Sequence, residues 1–182
     1  MRPATFYYDL NSPYAYLTAE RIDEQLDAEW VPVLVGAIFK ATGRTSWGLG
    51  PARADGIAEI ERRAAERGLP PLRWPEPWPG NSLMAMRAAV FGGTPFARAA
   101  FRVHFVEGRT LDDPASIALA AERTGLDPDA VLRATRDQAV KDALRANTDR
   151  ALALGVFGVP TVVAGAEAYW GDDRLEEPAA AA

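Results

Sequence analysis

The stretch DLNSPYAYL holds the residue that is best placed for chemistry. Ser12 is followed by Pro13, a residue type that opens helices, and it comes after ATFYYD, an apolar and aromatic run that predicts a strand. A serine there can cap the helix by accepting a backbone hydrogen bond. Its hydroxyl can also face an anion, because a helix N-terminus offers free N–H groups and a positive dipole end. Ser12 would lie at the carboxyl end of the strand, where α/β proteins bind ligands.

The pairing of a capping residue with proline does not by itself identify a site, because it recurs along the chain. Capping is therefore the simpler reading of Ser12, and only its position after the first strand separates it from the other cases. The pairs are Ser12-Pro13, Thr94-Pro95, Asp113-Pro114 and Asp127-Pro128.

Two further polar or constrained positions follow near the C-terminus. Val159-Pro160 comes directly before a predicted strand, where a proline is tolerated as the first residue, and a trans bond is the ordinary expectation. Asp172 and Asp173 open the last predicted helix, so either could be its cap. A calcium site there is weakly supported, because two adjacent acids are far from a coordination set.

Other candidates are isolated side chains. Lys40 is one of two lysines in the chain, and a solvated surface position is its simpler reading. His104 lies within a predicted helix, where packing is a better account than catalysis, and no nucleophile elbow supports a triad with Ser12. Four of the five tryptophans are either core residues or the walls of an aromatic site; they are Trp47, Trp74, Trp78 and Trp170.

Composition narrows the classes of function. The 182 residues are 48% hydrophobic, enough for one domain or one domain with a large insertion. A net charge of −5 with no basic stripe argues against a nucleic-acid partner. The absence of cysteine excludes disulfides and a cysteine nucleophile, and a single histidine argues against zinc. No apolar run reaches membrane-spanning length, so we expect a cytoplasmic protein.

The predicted elements fall into three blocks. ATFYYD and WVPVLVGAIF are predicted strands on either side of the helix that begins at Pro13, and such a unit favours a parallel pair. Residues 51–154 read as helices, interrupted by the proline-rich linker LPPLRWPEPWPGN. VPTVVAGAEAYW then reads as two strands joined by a tight turn, and GDDRLEE opens a short helix. The order is β-α-β, a helical block, then β-β-α.

Five motifs occur in an order that resembles the 2-hydroxychromene-2-carboxylate isomerase family, which is related to kappa-class glutathione transferases and DsbA-like oxidoreductases. They are FYYDLNSPYAYL, GAIFKATG, WPGNSLMAMRA, GVFGVPTVV and YWGDDRL. The resemblance covers about residues 5–175. It implies an α/β, thioredoxin-like fold with residues 1–50 and 155–182 in the thioredoxin-like domain and residues 51–154 in an all-helical insertion. It also implies a homodimer with glutathione as cofactor.

The resemblance assigns roles to the candidates near Ser12. Ser12 falls where thiol oxidoreductases keep their first active-site cysteine, and its hydroxyl would contact the glutathione sulfur together with Pro13 and Tyr14. Pro160 corresponds to the cis proline of the family, so a cis Val159-Pro160 bond is predicted. The backbone of Val159 would pair with the cysteinyl part of glutathione.

The same resemblance places Asp172 and Asp173 at the γ-glutamyl end of glutathione. Lys40, in the loop after the second predicted strand, and Trp47 are the candidates for contact with an aromatic small-molecule substrate. Arg44 stands where the family often has an asparagine that contacts glutathione.

The chain differs from the pattern of this family at two further places. Arg53 is the nearest candidate for a lysine that the family has further on. The closing helix is shortened by EEPAAAA.

The chemistry of a serine at this position agrees with the resemblance. A free thiol has a pKa of about 8.5, and a hydroxyl donor with a helix N-terminus stabilises the thiolate. Serine cannot form a disulfide, so the site would activate a thiol without redox exchange. The predicted reaction is addition of glutathione, or another low-molecular-weight thiol, to a conjugated substrate, followed by bond rotation and thiol expulsion. The alternatives are kappa-class-like conjugation or peroxide chemistry, and a cysteine-free binding module without catalysis.

Overall fold

A mixed four-stranded sheet is the centre of the computed structural model, which describes residues 4–181. Its strands are β1 (Ala4–Tyr8), β2 (Ala28–Pro32), β3 (Thr161–Ala164) and β4 (Glu167–Trp170), in the spatial order β2-β1-β3-β4. β1 and β2 are parallel, whereas β3 is antiparallel to both β1 and β4. A β-α-β unit and a C-terminal hairpin thus share one sheet, which confirms the predicted α/β, thioredoxin-like class.

Helices account for most of the remaining structure. Within the described residues they are α1 (Pro13–Ala19), α2 (Ile22–Gln25), α3 (Val35–Thr42), α4 (Arg53–Glu66), α5 (Leu83–Phe105), α6 (Pro114–Glu122), α7 (Pro128–Ala134), α8 (Gln138–Ala153) and α9 (Glu176–Ala181). Short 3₁₀ turns cover Trp47–Leu49 and Asp172–Arg174. Among these helices none is long and apolar enough to cross a membrane.

The predicted second strand is wrong over its C-terminal half. β2 ends at Pro32, and Val35–Thr42 forms helix α3 rather than a continued strand. A short apolar run does not by itself distinguish a buried strand from a buried helix. Here a tertiary contact starts the helix, because Asp9 Oδ2 accepts a hydrogen bond of 3.0 Å from Val35 N.

Two helices of the segment between the two halves of the sheet, α6 and α7, begin at the caps that the sequence predicts. Asp113 and Asp127 accept hydrogen bonds from the first turns of α6 and α7. Gly93, with φ 66° and ψ −161°, breaks α5 just before Thr94 and Pro95, where the sequence predicts a new helix. Positive φ costs glycine little, and proline is tolerated in the first turn that follows.

Successive side chains of β1 point to opposite faces of the sheet. Both faces of the strand are largely buried. Phe6 and Tyr8 face the larger core; the Tyr8 ring centroid lies 5.8 Å from that of Phe101 on α5. Tyr7 faces a smaller apolar cluster that includes Val31 and Ile38. The carboxyl end of β1 is therefore held rigidly between two cores, and Ser12 follows it directly.

Candidate active site

A cavity of about 960 Å³ opens beside the start of α1. Its volume is at the upper end of the range for small-molecule sites, about 300–1,000 Å³. It brings together every site residue named from the sequence: Ser12, Pro13, Tyr14, Lys40, Arg44, Trp47, Val159, Pro160, Asp172 and Asp173. These residues come from both halves of the sheet and from the segment after α3.

Ser12 is the N-cap of α1. Its Oγ accepts a hydrogen bond of 3.2 Å from Ala15 N, and it lies 3.4 Å from the Val159 carbonyl oxygen, to which its hydroxyl donates. Both contacts are long for their type, and the one to Val159 is well beyond the usual 2.7–2.8 Å or so for an O–H donor. The capping interpretation is confirmed, and the donor proton is held only loosely.

Val159 and Pro160 lie opposite Ser12, directly before β3. The peptide bond between them is cis, as the family resemblance predicts. The neighbouring Gly158 packs so closely on Trp170 that a Cβ at this position would lie 2.8 Å from the indole Nε1. The backbone of this loop is therefore presented to the cavity beside the Ser12 hydroxyl.

Asp172 and Asp173 differ sharply although they are adjacent. Asp172 is 1% exposed and receives hydrogen bonds of 2.6 Å from Arg63 Nη1 on α4 and from Arg67 Nη2, directly after that helix. Asp173 is 63% exposed at its side chain, and the nearest arginine nitrogen that pairs with it is Arg63 Nη2 at 3.9 Å. Neither caps the following turn, since Gly171 is the residue at the N-cap and no side chain caps it. The capping reading of this pair is wrong.

Two cations line the other side of the cavity. Lys40 lies on α3 and not in a loop, because the residues predicted as the end of a strand are helical. Arg44 follows Gly43, which ends α3 with φ 69°. The Arg44 guanidinium carbon lies 4.8 Å from the ring centroid of Phe157 and 5.4 Å from that of Trp170. This stacking fixes a planar donor group at the cavity.

Two tryptophans, Trp47 and Trp78, form what we call the aromatic wall of the cavity. Their ring centroids are 5.1 Å apart. Two glycines allow this packing. A Cβ at Gly56 would lie 2.3 Å from the Trp47 ring, and a Cβ at Gly48 would lie 2.8 Å from the Trp78 ring. Arg53, the candidate for the family lysine, donates from Nη2 to the carbonyl oxygen of Trp78 at 3.1 Å.

Sequence reasoning missed two residues that shape the cavity. Asp9 is 1% exposed and accepts hydrogen bonds from Asn11 N at 2.9 Å and Val35 N at 3.0 Å. Burial raises the pKa of Asp9, against the lowering effect of these hydrogen bonds and of the nearby Ser82 side chain. Asn11 contacts the linker before α5. The only local signal was their position beside Ser12, in DLNSP.

Comparison with known proteins gives consistent results. The chain is 28% identical to 2-hydroxychromene-2-carboxylate isomerase of Pseudomonas putida, over 93% of this chain and 89% of the relative. It is 26% identical to human glutathione S-transferase kappa 1, over 96% and 88%. A solved 2-hydroxychromene-2-carboxylate isomerase superposes with a TM-score of 0.83 at 26% identity, covering 94% of this chain and 90% of that one. The model of the DSBA-like thioredoxin domain matches residues 4–181, and the chain therefore belongs to the DSBA-like thioredoxin domain family.

Proposed function

We propose that the protein is an isomerase that uses glutathione, or another low-molecular-weight thiol, to act on an aromatic-derived small molecule. The observation that carries the proposal is the convergence of the Ser12 hydroxyl, the Val159 backbone and Asp173 on one cavity with an aromatic wall. The names of two relatives, an isomerase and a glutathione transferase, agree with it.

Ser12 is the proposed catalytic residue. When a thiol binds, the hydroxyl turns from the Val159 carbonyl, 3.4 Å away, and donates to the thiolate sulfur. Lowering a thiol pKa by about 1.5 units takes roughly 2 kcal/mol, which one charge-assisted hydrogen bond can supply. Pro13 and Tyr14 complete the contact with the sulfur from the first turn of α1.

The reaction leaves no net oxidation or reduction. The thiolate adds to a conjugated carbon, forming a C–S bond while the electron pair of the C=C bond moves onto the conjugated carbonyl oxygen. The former double bond is then single and rotates. The electron pair returns, the C–S bond breaks and the thiolate leaves. Serine suits this cycle because it stabilises the thiolate and cannot capture it as a disulfide.

The remaining cavity residues hold the two reactants. Val159, with Pro160 beside it, offers backbone groups to the cysteinyl part of the thiol, and the exposed Asp173 binds the α-ammonium group. Asp172 supports this end indirectly, because its charge is already paired with two arginines. Arg44 presents its guanidinium to a carboxylate of the thiol.

Lys40 and Trp47 form the proposed substrate side of the cavity. Trp47 provides an aromatic face for a planar ring, and its ring centroid lies 6.0 Å from that of Tyr14, next to the sulfur site. Lys40 provides a positive charge for an anionic group of the substrate.

Thiol-dependent turnover tests the proposal. Purified protein is mixed with 2-hydroxychromene-2-carboxylate, with and without glutathione, and the isomerisation is followed by absorbance. We expect turnover that requires the thiol. Conjugation of glutathione to an electrophilic aromatic halide without isomerisation would favour the transferase alternative, which the kappa-class relative supports. Thiol binding without turnover on either substrate would favour a binding module.

The proposal also includes the homodimer that the family resemblance implies and the cytoplasmic location that we expect from the sequence. Size-exclusion chromatography with light scattering gives the mass in solution, and the mass of one chain is 19.7 kDa. A mass of twice that value is expected, and a single-chain mass would contradict the homodimer.

A further inference from the structure

Asn11, the residue before Ser12, is joined by three hydrogen bonds to the linker segment Trp78–Gly80. Asn11 Nδ2 donates to Gly80 O at 2.8 Å, and Gly80 N donates to Asn11 Oδ1 at 3.4 Å. The indole Nε1 of Trp78 donates to Asn11 O at 3.1 Å. The two segments are 69 residues apart at Asn11 and Gly80, so this contact belongs to the tertiary structure.

This contact supplies most of the polar attachment of the segment. Trp78–Gly80 lies in a stretch without helix or strand, between α4 and α5. Across residues 4–181, four hydrogen bonds link it to other parts of the chain, and the fourth runs from Arg53 Nη2 to Trp78 O. Asn11 therefore makes three of the four hydrogen bonds that attach the segment, two of them through its side chain.

The position of this segment determines the position of the aromatic wall. Trp78 packs against Trp47 at 5.1 Å between ring centroids and against Trp74 at 4.6 Å. Gly48, in the turn that carries Trp47, leaves no room for a Cβ between it and Trp78. A shift of Trp78 would therefore shift Trp47 as well.

We propose that Asn11 is a positioning residue that sets the distance between the aromatic wall and the sulfur bound at Ser12. It would govern the reaction of the bound thiol with the substrate and leave thiol binding itself nearly unchanged. This inference rests on the proposed function. The physical reason is that reacting groups must be held in a near-attack geometry, and a misplacement of about 1 Å can cost on the order of 100-fold in rate.

A direct contact between the Asn11 amide and substrate is a poorer explanation. Its Nδ2 and Oδ1 both already bond to the backbone of Gly80. The proposed contacts of the thiol lie elsewhere, at Ser12, Val159 and Asp173. Loss of the Asn11 amide should therefore change the rate of the reaction much more than the affinity for glutathione.

The test compares Asn11→Leu with Asn147→Leu. Asn147 is a matched control, because its Nδ2 donates to the carbonyl oxygen of Pro32 at 3.3 Å and it does not line the cavity. We expect kcat/KM for 2-hydroxychromene-2-carboxylate to fall at least about tenfold in Asn11→Leu, with the glutathione Kd within about twofold of wild type. A kcat/KM equal to that of the control, or a Kd that weakens by the same factor, would overturn the proposal. Asn11→Ser, too short for both bonds, replaces Asn11→Leu if that variant does not fold.

A ligand-free measurement separates this inference from the proposed function. The indole N–H signal of Trp78 is assigned by NMR with Trp78→Phe, and its solvent exchange is measured in wild type and Asn11→Leu. Exchange should accelerate at least about tenfold, because the remaining bond to Asn11 O loses its two neighbours. Unchanged exchange overturns the inference. Absence of thiol-dependent turnover in the wild type instead overturns the proposed function.

Discussion

The hydroxyl of Ser12 lies 3.4 Å from the carbonyl oxygen of Val159, which is 147 positions further along the chain. Ser12 Oγ also caps α1 by accepting a hydrogen bond of 3.2 Å from Ala15 N. One hydroxyl thus joins the first helix to the loop before β3. As an acceptor, the hydroxyl stabilises the helix. As a donor, it makes only a long contact with the Val159 carbonyl, which a bound thiolate could replace.

Ser12→Ala separates these two roles. Loss of the cap alone should lower the free energy of unfolding by about 0.5–2 kcal/mol. Loss of the donor should raise the pKa of bound glutathione thiol by about one unit or more, and turnover near neutral pH should fall with it. Ultraviolet absorbance of the bound thiolate, titrated in wild type and Ser12→Ala, measures the shift. An unchanged thiolate pKa with full activity would reduce Ser12 to a helix cap.

The two adjacent aspartates should respond differently to removal of their charge. Asp173→Asn is expected to weaken glutathione binding by about 1–3 kcal/mol with little effect on stability, because Asp173 is exposed at the cavity. Asp172→Asn is expected to lower the free energy of unfolding by about 2–3 kcal/mol, because Arg63 and Arg67 lose a buried partner. Calorimetry and denaturant unfolding on both variants check this. Equal effects of the two substitutions on binding would contradict the division of roles.

Local sequence signals predicted the elements well and the contacts between them poorly. Asp113 and Asp127 each cap the helix that follows, and this is a local pattern because the carboxylate acceptor and the backbone N–H that donates to it are two residues apart. The ion pairs of Asp172 with Arg63 and Arg67 span more than 100 residues and leave no local pattern. Helix α3 was missed because Asp9, 26 residues upstream, bonds to Val35 N.

The residues of the candidate site also differ in whether a local sequence signal indicates them. Ser12 stood out from the residues themselves, by its place after the first strand. The roles of Val159 and Asp173 came from the family resemblance, since neither spacing nor composition places them near Ser12. Asn11 was missed because an asparagine beside a helix cap is common in turns, and its partner Gly80 lies in a proline-rich linker.

Gly56→Ala should disturb the aromatic wall. The added Cβ would lie 2.3 Å from the Trp47 ring, so the ring or α4 must move, at a cost of about 1–3 kcal/mol. Gly36→Ala is the matched control, because it also lies in a helix and its Cβ would meet no atom within 4 Å. That control should gain about 0.5–1 kcal/mol from the lower entropy of the unfolded chain. Thermal unfolding with tryptophan fluorescence compares them, and a Gly56→Ala protein as stable as Gly36→Ala would refute the packing argument.

His104 should make the stability of the protein depend on pH. Its Nδ1 lies 2.8 Å from the carbonyl oxygen of Arg109 and donates to it, and its buried Nε2 has no partner among residues 4–181. Burial lowers the pKa of His104 to about 4, although the bond to Arg109 and the charge of Asp112 oppose the shift. In the unfolded chain the pKa is near 6.5 or so.

The direction of the change in stability with pH follows from the difference in proton binding between the folded and unfolded protein. Between pH 6.5 and 4 or so, the unfolded chain holds a proton on His104 that the folded protein excludes, so stability falls as pH falls through this window. The loss from this residue reaches about 3 kcal/mol at the acid end and then levels off. His104→Asn keeps a side-chain donor near Arg109 O but does not titrate, and both proteins share the same carboxylates. Urea unfolding of both at several pH values isolates the contribution of His104, and we expect the two stability curves to diverge below pH 6.5 or so. Parallel curves would show that Nε2 accepts a proton in the folded protein without penalty.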